Sequence, residues 1–186
     1  MNIFVPSAKL VVLKELPFSD YAFPRWQSYA SITLVALLSA ISATLAPQMH
    51  GLPQMSFWVL LGSNFLSTWV LFLMAMFILR WWMKRGDRWD GEGDMFNLIA
   101  ASWLVIDLIV YAASMLGAPG FIVMPLSIYT IWVAGNALSG AIPKASLGYS
   151  IGGVILAIIP GALIGAAVGI MLVKMGYLPM PAAPAG

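Results

Sequence analysis

Five stretches of about 20 mostly apolar residues, the length of a membrane-spanning helix, decide most of what this chain can fold into. They run over residues 26–46 (WQSYASITLVALLSAISATLA), 56–79, 96–116, 120–138 and 149–173. Gly-Pro punctuation or charge separates them: MHGLP, the run RGD…GEGD, LGAPG and SGAIPK. The fourth is short and carries Pro125, and the fifth holds Gly152, Gly153 and Pro160. So few residues join the third and fourth that these must form a tight antiparallel hairpin. The chain is 61% hydrophobic and 9% charged, where soluble domains carry about a quarter charged residues. The expected fold is all-α: a polytopic membrane protein built as a bundle of five transmembrane helices.

Basic residues orient the spans. Lys9, Lys14 and Arg25 precede the first, Arg80, Lys84, Arg85 and Arg88 follow the second, and Lys144 follows the fourth. With five crossings these eight share one side, against Lys174 alone on the other. The positive-inside rule then places the N-terminus in the cytoplasm and the C-terminus outside. Residues 1–25 do not read as a cleavable signal, because Lys9, Lys14, Glu15, Pro17 and Asp20 interrupt any apolar core. Within this tail Ser7 to Leu16 can form a short helix in the headgroup plane; the alternative is an unstructured tail. Residues 175–186, rich in Pro and Ala, read as a flexible end.

Several chemistries drop out. The chain has no cysteine and one histidine, His50, which falls in the first outer loop and reads as solvated. That excludes disulfides, thiolate chemistry and multi-histidine metal sites, and no cofactor is expected. A net charge of +2 without a basic-aromatic motif argues against nucleic acid as a partner. Membrane lipids, other membrane proteins or a second copy of the chain are the expected partners.

The run RWWMKRGDRWDGEGD, residues 80–94, holds eight of the sixteen charged residues. Its basic half follows the C-terminal end of span two, and its acidic half precedes the N-terminal end of span three, each sign matching the helix dipole it meets. Asp94 is a candidate N-cap. Trp81, Trp82 and Trp89 suit headgroup depth. Arg80, Lys84, Arg85 and Arg88 are candidate contacts for anionic lipid or a partner. The G-x-G-D ending resembles a fragment of an aspartyl protease, but the next acid in a span, Asp107, lies about 20 Å along the same helix. Two catalytic carboxylates must share one site, so an enzyme is not expected. The acids do not keep a calcium-loop register, and the glycines follow no strand as a dinucleotide cradle requires.

Inside the spans, Asp107 stands out because a carboxyl at mid-membrane is costly. Trp103, Asp107, Tyr111 and Ser114 fall on one helix face. With no cation at mid-depth, the neutral, hydrogen-bond-donating acid is the expected form. Candidate partners are Asn64, Thr68, Tyr129, Thr130 and Asn136. The favoured role is interhelical glue; the alternative is a proton relay or solute-binding acid. In span five, Gly153, Ala157, Gly161, Gly165 and Gly169 recur every four residues. Such a small-residue face serves either packing within the bundle or a dimer.

The layout also resembles the Yip (Ypt-interacting protein) family. Asp20-Tyr21-Ala22-Phe23-Pro24-Arg25-Trp26 is similar to the family's D-L-Y-G-P-x-W motif, matching at Asp20, Pro24 and Trp26, while its centre differs. Gly93 and Phe96 resemble a G-x-x-F element, and YTIWVAGNALSGAIPKAS resembles the family's fourth span and following turn. Eukaryotic members have long cytosolic N-termini and take part in vesicle trafficking with Rab-type GTPases; short members occur in bacteria. The resemblance implies a non-enzymatic membrane scaffold or adaptor, in the bacterial inner membrane. The alternatives are an accessory subunit of a larger membrane complex, or a small proton- or solute-coupled transporter using Asp107.

Overall fold

The structure, a computed structural model, describes residues 2–45 and 56–176. His50, most of the first loop and residues 177–186 lie outside the described residues. Among those described there are six α-helices, one 3-10 turn and no strand. The helices are α1 (Phe4–Val11), α2 (Arg25–Leu45), α3 (Phe57–Arg85), α4 (Met95–Met115), α5 (Gly120–Ala141) and α6 (Leu147–Lys174), with the 3-10 turn at Phe18–Tyr21.

Among the described residues four helices, α3 to α6, are long and apolar enough to cross a membrane. That is one fewer than the five expected spans. The remaining expected span is α2, which is 21 residues long and ends at the edge of the described residues. It packs along α3 and α4. Its Ser28 and Ser31 are buried, facing protein rather than lipid.

Local chemistry sets most helix ends. Ser56 caps α3 by accepting from Val59 N at 3.3 Å, and Ser146 caps α6 by accepting from Tyr149 N at 3.4 Å. Asp94 caps α4 as expected, accepting from Phe96 N at 3.1 Å and Asn97 N at 3.2 Å. Between α4 and α5, Gly117 takes φ +75, a left-handed turn that glycine adopts without strain and that makes the hairpin tight. Helix α5 stops at Ala141 because Ile142, extended at φ −115 and ψ 94, precedes Pro143.

Two expectations change. Helix α3 runs to Arg85 rather than ending at Leu79, so Arg80, Lys84 and Arg85 sit on its last two turns and only Arg88 is in the loop. The N-terminal helix covers Phe4–Val11 rather than Ser7 to Leu16. Its Leu10, with Ile3 and Leu16 flanking it, is buried in the common core, and α1 packs against α4 and α5. Tyr129 Oη donates to Val11 O at 2.6 Å, and Ile3 N donates to Gln27 Oε1 at 2.8 Å. A helix whose leucine can be buried against protein gains more from that than from lying exposed.

The core is concentrated at one end. Buried residues cover the last part of α3 from Phe72, the first part of α4 to Ile106 and the last part of α5 from Val133. The opposite ends expose large apolar residues such as Leu66, Phe121, Met124 and Leu163, the surface expected to face lipid. The tight end is also where the N-terminal segment, residues 86–94 and residues 142–146 gather. Aromatic rings fill its centre: Phe72 meets Phe96 and Trp103 edge-on at 5.1 and 5.2 Å between centroids.

Candidate functional site

At the tight end, one asparagine joins three segments. Asn97, on the first turn of α4, is 1% exposed. Its Nδ2 donates to Tyr21 O at 2.9 Å and Phe23 O at 2.7 Å. Its Oδ1 accepts from Ser28 Oγ at 2.7 Å. Both amide hydrogens and the carbonyl are therefore used, which a buried amide requires. Arg25 Nε reaches Asp94 Oδ2 at 2.8 Å, and that hydrogen bond, with the carboxylate's charge, raises the already high guanidinium pKa. Lys9 pairs with Asp20 at 3.4 Å. Gly93 has φ +84 and lies against the Phe18 ring, leaving no room for a side chain.

These contacts bring together the two motif fragments, Asp20-Pro24-Trp26 and Gly93-Phe96. Pro24 opens α2, its carbonyl accepting from Gln27 N at 3.0 Å. Phe96 packs on Tyr29 of α2, with 5.0 Å between centroids. Trp26 points outward, 66% exposed. Tyr21 is fully buried and its hydroxyl has no partner among the described residues; burial pushes the phenol pKa upward.

At mid-bundle, where the tight half gives way to the loose one, a cavity of about 330 Å³ is lined by all five long helices. Trp103, Asp107 and Tyr111 of α4 face it, with Ser39 of α2, Asn64 and Thr68 of α3 and Thr130 of α5. Ser114 does not belong to this face: it is exposed, and its Oγ donates to Val110 O at 2.9 Å. No hydrogen bond from another helix reaches the Asp107 carboxyl among the described residues.

The expected partners are occupied elsewhere. Thr68 donates to Asn64 O at 3.0 Å, Thr130 to Ser127 O at 2.7 Å, and Asn64 Nδ2 to Leu60 O at 2.9 Å. Tyr129 is committed to α1. Asn136 is buried, its Nδ2 has no partner among the described residues, and it does not line the cavity. Direct glue between Asp107 and these side chains is thus not what the geometry provides.

The small-residue stripe of α6 divides. A Cβ on Gly153 would lie 2.6 Å from Trp82 Cδ1, and one on Gly161 would lie 2.8 Å from Leu71 Cδ2. Ala157 is buried. These three therefore pack within the bundle, against α3 at both glycines. Gly165 has nothing within 4 Å, and Gly169 lies one turn beyond it. The Gly153 contact supports a reciprocal clamp, in which Trp82 Nε1 donates to Tyr149 O at 3.2 Å and Tyr149 Oη donates to Trp82 O at 2.9 Å.

The basic residues also separate. Arg88 Nη1 donates to Lys144 O at 3.0 Å, and its guanidinium lies 5.3 Å from the Tyr149 ring centroid. Arg80 and Lys84 lie over the buried Trp89, each 5.7 Å from its centroid, and Arg85 lies 5.0 Å from that of Trp81. None of the four has an acidic partner within 4.0 Å among the described residues.

Asn97, Ser28 and Ser39 were not singled out from the sequence. Ser28 and Ser39 are eleven residues apart, about three turns, so a polar stripe on α2 was the available signal.

The fold defines an all-α membrane protein with polar side chains sealing one end and, at mid-depth, a mostly apolar cavity that several polar side chains enter. Comparison of the chain with protein-family models, with curated proteins and with solved structures finds no match. The resemblance to the Yip family rests on the motif residues alone.

Proposed function

We propose that the chain is a non-enzymatic membrane scaffold or adaptor of the Yip-like kind, working through its tight end. In this reading α2 crosses the membrane with α3 to α6, the N-terminus and the tight end are cytoplasmic, and the C-terminus is outside, in a bacterial inner membrane. One observation supports it most: the two motif fragments, some 70 residues apart in sequence, meet through Asn97 and the Arg25–Asp94 pair. They make a fixed surface from which Trp26 projects. The test is purification from native membrane in mild detergent. Wild-type protein should retain a partner that Trp26→Ala loses while helix content stays unchanged. Equal retention by both would contradict the adaptor surface. Stoichiometric migration with a large assembly would instead favour an accessory subunit.

A second reading is supported by the cavity. A carboxyl that faces a cavity beside Ser39, Asn64 and Thr68, with no hydrogen-bond partner among the described residues, suits a proton- or solute-coupled role better than glue. Asp107→Asn would then abolish proton flux into proteoliposomes carrying a pH-sensitive dye, with assembly intact. Unchanged flux, or no flux in wild type, would remove this reading.

A further inference from the structure

Phe77, Arg80, Trp81, Lys84 and Arg85 follow the i, i+3, i+4, i+7, i+8 pattern and form one face of α3. All five are exposed, and together they line an open recess of about 570 Å³. Phe77 and Trp81 also belong to a second recess of about 350 Å³, an apolar groove completed by Ile78 of α3 and by Leu156, Ile159 and Pro160 of α6. The two recesses therefore join end to end, cationic at the tight end and apolar toward mid-bundle.

Depth agrees with this sequence of surfaces. Helix α3 is 29 residues long, about 43 Å, against about 30 Å of hydrocarbon. Its basic last turns reach headgroup level when its apolar part is immersed.

Among the described residues, none of the loop's acids pairs with Arg80, Lys84 or Arg85 within 4.0 Å. Asp94 binds Arg25 and caps α4, and Asp90 accepts from Glu92 N at 2.9 Å. The three cations on α3, stacked on Trp89 and Trp81, thus have no acidic partner within 4.0 Å among the described residues. Arg88 lies outside this face, held against Lys144 and Tyr149.

We propose that this face binds one anionic phospholipid, its headgroup on Arg80, Lys84 and Arg85 and an acyl chain in the groove between α3 and α6. A membrane lipid fits both halves, whereas an acidic peptide or free phosphate would use only the charged one. The Trp81 ring spans the junction, at the level where an indole's apolar body and polar edge are both accommodated.

The test is native mass spectrometry of the full-length protein with phosphatidylglycerol and phosphatidylcholine of matched chains. Wild type should retain phosphatidylglycerol preferentially, and added salt should weaken that preference. Each cation near an anionic surface is worth about fivefold in affinity. The triple variant Arg80→Gln, Lys84→Gln, Arg85→Gln should therefore lose the preference by about a hundredfold. Ile159→Trp, which fills the groove, should reduce retention while leaving the charges in place. Equal retention of the two lipids by wild type overturns the proposal without any variant. So does a preference that survives the triple variant, or a retention that Ile159→Trp leaves untouched, which would point to an acidic peptide or phosphate.

Discussion

Asn97 carries more of this architecture than any charged residue. Removing its amide strands the Phe23 carbonyl and the Ser28 hydroxyl in a buried place, and each buried unsatisfied group costs about 1–3 kcal/mol. Asn97→Ala should therefore lower stability by about 2–3 kcal/mol, read as a lower unfolding midpoint in detergent. Arg25→Ala breaks a largely exposed ion pair and should cost about 1 kcal/mol or less. The Asp94 cap could be read from sequence because its partners lie two and three residues away. Asn97 could not, because its partners are carbonyls 74 and 76 residues earlier. A backbone acceptor leaves no mark in side-chain pattern.

At the scale of the helix, α6 gives a sign test. Gly153→Ala pushes a methyl into Trp82 and should destabilise by about 1–3 kcal/mol, as overpacking does. Gly165→Ala meets open space and should stabilise by about 0.5–1 kcal/mol through helix propensity. If Gly165 forms a dimer face, the same change weakens self-association, which crosslinking in native membrane would register. Tyr129→Phe removes the bond to Val11 and should loosen α1 by about 1 kcal/mol, seen as faster proteolysis of the N-terminal segment. The sequence pattern showed that the stripe exists, yet one repeat serves two environments. Periodicity identifies a face of a helix but not what stands opposite it. The same limit explains α1: its apolar side was legible, while its burial against α4 and α5 depends on where those helices end.

For the whole molecule, apolar run length predicted α3 to α6 within a few residues, apart from the basic extension of α3. That extension escaped a hydropathy reading because charge ends an apolar run without ending a helix. Helix α2 is the decisive case. Its Ser28 and Ser31 are buried against protein. The N-terminal segment is bonded to the start of α4, which in the proposed topology puts both on one side of the membrane. With α3 crossing between them, that topology has α2 crossing as well. The chain has no native cysteine, so single cysteines report sidedness without background. The most direct measurement is labelling of Ser19→Cys, Asp90→Cys and Ala118→Cys by a membrane-impermeant maleimide, in intact and in permeabilised cells. The account predicts Ser19→Cys and Asp90→Cys protected until permeabilisation and Ala118→Cys labelled in intact cells. Labelling of Ser19→Cys and Asp90→Cys from opposite sides would contradict it.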